Sequence, residues 1–288
     1  DKFLFDLGVN IRKIARKLNK YDELINACPE TISAADTKVY LPNTKRILKK
    51  ALNLETTIQN LVKYQTILHQ VSNDFSKYHD VVRVGHFMEK LYEALIVWKN
   101  QANAIHSIPL SSIDMPKFQS DMISLAKTVE ELKEEALNPN PLLSELDVRL
   151  AEVTPYLEQL DKLSNGRMQQ HHWTQLFEEC GKLDAYHSQI KIEELISLGI
   201  LAAKERIAKI TSLSFGESQL EAEFKAIQDH WRSVQLPINE SVPITDHVIV
   251  LSPLGPILDS IVSVQLTLKR MMQTDFSIGA RTNITTLS

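Results

Sequence analysis

Pro141-Leu142-Leu143-Ser144-Glu145-Leu146-Asp147-Val148-Arg149-Leu150-Ala151-Glu152-Val153-Thr154-Pro155-Tyr156-Leu157-Glu158-Gln159-Leu160 is the most regular stretch of the chain. Leu143, Leu146, Leu150, Val153, Leu157 and Leu160 recur in alternating steps of three and four, which lines them along one stripe of an α-helix. The stripe is narrow, nearer the two-per-seven seam of helix-on-helix packing than the broad face of a compact globular helix. Pro155 has no amide proton and its ring crowds the preceding turn, so the ladder is predicted to bend or restart there. Asn165-Gly166 supplies a stop, because glycine reaches left-handed backbone angles without steric cost.

The same spacing extends outward from this stretch. Leu4, Leu7, Ile11, Ile14, Leu18, Tyr21 and Ile25 form a first ladder that ends before Pro29. At 1.5 Å per residue it makes a rod of roughly 36 Å. A loop is placed from Pro29 to Pro42, with Asn43 as the N-cap of a second ladder through Ile47, Leu54, Ile58, Leu61 and Leu68. Val84, Met88, Leu91, Leu95 and Trp98 make the third, closed by Pro109. Met122, Leu125, Val129 and Leu132 make the fourth, which ends before Asn138-Pro139-Asn140-Pro141.

Beyond residue 168 the helices shorten. One is predicted around Trp173 to Cys180, one or two between Ile192 and Ile210, and a longer one through Leu220, Phe224, Ile227, Trp231 and Val234. His247-Val248-Ile249-Val250-Leu251 is a β-branched run before the turn Ser252-Pro253-Leu254-Gly255, and reads as a short strand or half a hairpin near residues 246–252. Pro256 falls where N1 of a last helix through Ile257, Ile261, Val264, Leu268 and Met271 would lie. The predicted fold is therefore all-α, with elongated, stacked antiparallel helical bundles.

Composition agrees with this reading. The chain has 288 residues, above the size at which one hydrophobic core stops growing, so more than one packed unit is expected. With 8 Gly and 11 Pro it lacks the punctuation of a turn-rich β protein. A formal charge of −4 gives no general electrostatic reason to bind nucleic acid or an anionic membrane, and neither is expected as a partner. The two cysteines, Cys28 and Cys180, are too far apart for a disulfide framework, which fits a reducing, cytosolic compartment. No run is long and apolar enough to span a bilayer, no signal peptide is evident, and the missing initiator Met reads as an excised fragment.

Motifs for chemistry are few. Gly181-Lys182 is followed by Leu183 and has Leu176 where a phosphate-binding loop needs its first glycine, so no nucleotide site is expected. His171, His172, Cys180 and His187 are competent zinc ligands clustered in sequence. They lack the close-pair spacing of structural zinc sites, and neighbouring helical residues point about 100° apart. They are read as one exposed histidine and one packed beside Trp173. Glu130-Glu131, Glu134-Glu135 and Glu178-Glu179 sit on helices near lysines and read as salt-bridged surface. Asn239-Glu240-Ser241 and Asn283-Ile284-Thr285 match the glycosylation pattern without secretory context.

Arg12-Lys13 with Arg16-Lys17, and Lys45-Arg46 with Lys49-Lys50, fall on the outer faces of their ladders and read as solvated helix faces. Trp98, Trp173 and Trp231 each lie on an apolar face and are assigned to core packing. The site expectation is accordingly empty: no catalytic residue, no cofactor, no metal, and no enzyme activity in the chain itself.

Several stretches in order resemble the dynein heavy chain family. They are Thr154-Pro155-Tyr156-Leu157, Leu160, Leu163-Ser164-Asn165 and His172-Trp173-Thr174-Gln175-Leu176-Phe177, followed by Gly181. Downstream come Ile192-Glu193-Glu194-Leu195, Lys204-Glu205-Arg206-Ile207, Gly216-Glu217, Leu220-Glu221, His230-Trp231 and Leu258-Asp259. The resemblance covers about residues 85–288, and His171 and Ser260 depart from the residues usual at those places. It implies a helical stem over residues 1–84, a stem-linker junction over 85–167 and the N-terminal part of the linker over 168–288.

The implied task is to carry force for an ATP-driven microtubule motor, with bends supplied around Gly199, Gly216 and Pro237. The implied partners are intermediate and light chains or a second heavy chain at the stem end, and the chain's own AAA+ ring. The implied location is cytoplasmic and cytoskeletal, on microtubules or in the ciliary axoneme. A helical scaffold or tether, spectrin-like in build, is the other reading. It would show a fixed internal period, which the change of helix length after residue 168 breaks.

Overall fold

A computed structural model describes residues 2–27, 29–69, 73–136, 138–234 and 255–273. These form eleven α-helices: α1 (Lys2–Asn26), α2 (Thr37–Leu52), α3 (Glu55–Ile67), α4 (Ser76–Ser107), α5 (Met115–Glu135), α6 (Pro141–Val153), α7 (Leu157–Ser164), α8 (Gln170–Glu179), α9 (Ile192–Ser197), α10 (Lys204–Ser233) and α11 (Gly255–Met272). Among the described residues there is no strand, only an isolated antiparallel bridge between Pro109 and Lys191. The fold is all-α. The strand expected near residues 246–252 lies outside the described residues.

The chain divides into two units, Asp1–Glu158 with Lys191–Glu194, and Gln159–Ile190 with Leu195–Ser288. In the first, α4 is the central element, and α1, α2 and α5 pack on it while α6 packs on α5. Leu91, Tyr92, Ala94 and Leu95 are all buried, so α4 is covered on more than one face. Leu7, Ile14 and Leu18 of α1 close over Ile58 and Leu61 of α3 and Tyr78 of α4, which uses the first predicted ladder as read. The α1–α2 loop is tied down at two points. Ile32 N–H donates to Glu145 Oε2 at 2.8 Å, and Lys99 Nζ donates to the Ala35 carbonyl.

Gly85 marks a close approach of α4 to α2 and α1. A Cβ there would stand 2.9 Å from Leu48 Cδ1 on α2 and 3.6 Å from Ile25 Cδ1 on α1. Alanine removes a flexible glycine from a helix interior, worth up to about 1 kcal/mol, and the Leu48 methyl is the movable end of its side chain. Gly85→Ala is therefore expected to stay within about 1 kcal/mol of the parent, whereas Gly85→Val overpacks the junction and costs about 1–3 kcal/mol. Urea titration of the two variants checks both values.

Three local readings are corrected by the structure. The second ladder starts earlier: α2 begins at Thr37, capped by Asp36, whose carboxylate accepts the Lys38 amide, so Asn43 caps nothing and Pro42 lies inside the helix. Pro42 and Lys38 face solvent, where water takes the place of the hydrogen bond that proline cannot make. The same ladder is broken at Asn53-Leu54, which separates α2 from α3. Gly216 is a buried position within α10, which runs unbroken from Lys204 to Ser233, so it does not join two separate helices. The described part of the last helix opens at Gly255-Pro256, with Pro256 in its first described turn.

Pro155 behaves as predicted. It sits in a 3₁₀ turn, Thr154–Tyr156, between α6 and α7. The division expected at residue 84 falls within α4, and the one at 167 falls in the short link between α7 and α8.

Candidate functional site: a histidine–glutamate clasp

In the second unit α8 packs on α10, and Leu176, Phe177, Ile207 and Ile210 are fully buried. The sequence fixes both ends of α8. Gly181 adopts φ +69° just past the helix, its amide donates to the Glu178 carbonyl at 2.8 Å, and the Lys182 amide donates to the Phe177 carbonyl at 2.8 Å. This is a Schellman stop, and it accounts for the Gly181-Lys182 pair without any phosphate. At the other end the Gln169 amide donates to His172 Nδ1 at 3.2 Å, and the Gln169 side chain reaches Glu221 Oε1 at 3.1 Å.

A buried polar cluster grows from that N-terminus. His171 Nε2 lies 3.0 Å from Glu217 Oε2 in a hydrogen bond, and His172 Nε2 lies 3.1 Å from the same oxygen, off the hydrogen-bond line. The two ring centroids lie 3.9 Å apart, with the planes tilted by 37°. His172 is 1% exposed and Glu217 8%, while half of the His171 side chain meets solvent. Ser214 Oγ donates to the Arg167 carbonyl at 2.6 Å, and the Arg167 guanidinium lies 4.5 Å from the centre of the Phe215 ring. One stretch of α10, Ser214 to Glu221, thus holds both the link before α8 and its first turn.

The two histidines were expected to diverge by the helical angle. In the first turn their side chains instead fold back onto one carboxylate, and the burial of His172 with His171 outside matches the sequence reading. The aromatic neighbour differs from that reading: Trp173 stacks on Tyr186 at 6.5 Å, and the ring beside His172 is His171. Burial first, and then the neighbouring His171 imidazole, push the His172 pKa below the ordinary 6.5, with Glu217 pulling the other way. His172 is therefore neutral at physiological pH.

His171, His172 and Glu217 are the one group among the described residues whose ligand atoms could surround a metal ion, all within 4.8 Å. Cys180, half-buried and free, and the exposed His187 are outside it. The tautomer decides what the group holds. Because His172 Nδ1 accepts the Gln169 amide, the ring proton of the neutral imidazole sits on Nε2, and that nitrogen has no lone pair for a metal. The arrangement suits a clasp between helices. Glu217 was missed as a member because it stands 46 residues from His171, a separation that no local spacing rule spans.

The remaining candidates resolve into surface pairs. Lys133 reaches Glu130 at 2.8 Å, Lys90 reaches Glu135 at 2.6 Å, and Lys127 stands 3.8 Å from Glu131. Lys209, 3.1 Å away, holds the Glu179 carboxyl below the usual range. Trp98 is buried, whereas Trp173 and Trp231 are half-buried.

Long helices, surface ion pairs and a buried cluster that joins helix to helix define the class: an all-α, bundle-forming chain. No curated protein matches the chain. Over residues 78–287 it matches the family described as dynein heavy chain, N-terminal region 2, and it belongs to that family. It is a component of a dynein motor. Among the described residues no helix is long and apolar enough to cross a membrane.

Proposed function

We propose that this chain is a force-transmitting stem-to-linker segment of a dynein heavy chain, without catalytic activity of its own. The match over residues 78–287 carries the reading. Two features favour a load-bearing role. The core of the first unit is built on helices of up to 32 residues, and the second unit ties its first turn of α8 to α10 by a hydrogen bond as well as by packing. In this reading the N-terminal helices meet intermediate or light chains or a second heavy chain, and the C-terminal part leads toward the motor's own AAA+ ring. The molecule works on microtubules, in the cytoplasm or the axoneme.

The test is made in the full-length heavy chain, with a flexible Gly-Ser insert placed after Gly166, a turn at φ +71° that tolerates length changes. If this segment bears load, the insert slows microtubule gliding several-fold while ATP turnover per motor persists. Unchanged gliding speed would refute the role.

A further inference from the structure

α1 carries five cations within nine residues, Arg12, Lys13, Arg16, Lys17 and Lys20, with no acidic residue between Asp6 and Asp22. All five side chains are exposed, because Leu7, Ile14, Leu18 and Ile25 on the opposite side of the helix are buried. None of the five forms an ion pair among the described residues. Elsewhere in this unit Lys45, Lys77, Lys90 and Lys133 are paired with carboxylates, and the nearest acid to the stripe, Asp22, is taken by Lys77 at 3.1 Å. Arg12, Arg16 and Lys20 stand one above another at steps of four, with Lys13 and Lys17 in a parallel row. Phe5 and Val9, 67% and 40% exposed, continue the same side toward the N-terminus.

We infer that this face of α1 is a docking surface for an acidic amphipathic helix of a partner protein. Carboxylates at steps of four on the partner would meet the two cationic rows, and an apolar residue at one end would cover Phe5 and Val9. The dimensions favour a helix over a polyanion. Residues 12 to 20 span about 12 Å, two helical turns, which spans few phosphates of a nucleic acid. The rest of the chain is acidic enough to bring the net charge to −4, which disfavours a long, uniformly negative partner. A lipid surface would require a broad apolar face, and that of α1 is already buried. Because α1 lies outside the matched residues 78–287, the inference does not depend on the motor reading.

The probe is a synthetic helical peptide with glutamates at steps of four and leucines on one flank, titrated by fluorescence anisotropy against the intact chain. The variant Lys13→Glu/Arg16→Glu/Lys17→Glu alters only exposed side chains, and circular dichroism verifies its helix content. Affinity is expected to fall about tenfold or more in the variant, and to fall with salt in the parent, since exposed pairs are individually weak and screened. Equal affinity of variant and parent would overturn the proposal. So would tighter binding of phosphatidylserine vesicles or duplex RNA than of the peptide.

Discussion

Phe177→Ala is expected to destabilise the second unit by about 3–5 kcal/mol, the largest effect of any single truncation proposed for this chain. The ring is fully buried, its neighbour Leu176 is equally enclosed, and it packs against Tyr186 with centroids 5.3 Å apart. Alanine removes most of that apolar volume, and the surrounding helices close over the void only in part. The Schellman bond from the Lys182 amide to the residue 177 carbonyl survives, being backbone, so the loss reports packing rather than the helix stop. Phe177→Leu keeps more volume and costs less. With Trp98 and Trp231 changed to phenylalanine, Trp173 alone reports urea unfolding next to the lesion. A variant within 1 kcal/mol of its parent would show that Phe177 is not part of a packed core.

Glu217→Ala is expected to cost about 1–3 kcal/mol, because it removes the hydrogen-bond acceptor of His171 and the carboxylate that stands 3.1 Å from the buried His172 imidazole. Glu217→Gln retains an oxygen and loses the charge, and about half that cost is expected. The pH profile separates the clasp from simple packing. His172 is held below 6.5 in the folded state, while the unfolded chain titrates near 6.5. Below that value the unfolded state therefore binds more protons, and stability falls with acidification from about pH 6.5 down to the lowered folded-state pKa. A single such proton has a limiting slope of ~1.4 kcal/mol per pH unit.

The groups facing His172 are His171, Glu217 and Glu221. Removing the Glu217 charge takes away an interaction that favours the protonated ring. In Glu217→Gln the acid-driven loss should therefore continue to lower pH than in the parent. His172→Gln should flatten the profile in this window. A His172→Gln profile that coincided with the parent's would show that the buried imidazole is not the titrating group.

Much of the fold was legible because helical periodicity is a local signal. Pro155 and the Asn165-Gly166 stop were placed from sequence, since a missing amide proton and a left-handed turn act at the residue that carries them. The ends of α4 and α5 were legible for the same reason, with Pro109 and Asn138-Pro139 just beyond them. The misses occurred where tertiary or solvent context overrode local preference. Pro42 reads as a breaker, yet its lost hydrogen bond falls on the wet side of α2. Gly216 reads as a joint, yet it is buried inside α10, where packing keeps the helix whole. The clasp was half visible. Two histidines ahead of a tryptophan were noticed, but Glu217 comes from another helix, and only the fold brings it within reach.

The near-contact at Gly85 constrains how this chain can diverge. Leu48, Ile25 and residue 85 share one small space, so a side chain larger than alanine at 85 is admissible only in company with a smaller one at 48 or 25. Orthologues should therefore vary at these three places in concert, with summed side-chain volume held nearly constant, although 48 and 85 are far apart along the polypeptide. A sequence carrying a bulky residue at 85 with both isobutyl and sec-butyl groups retained opposite it would imply that α2 has moved outward from α4.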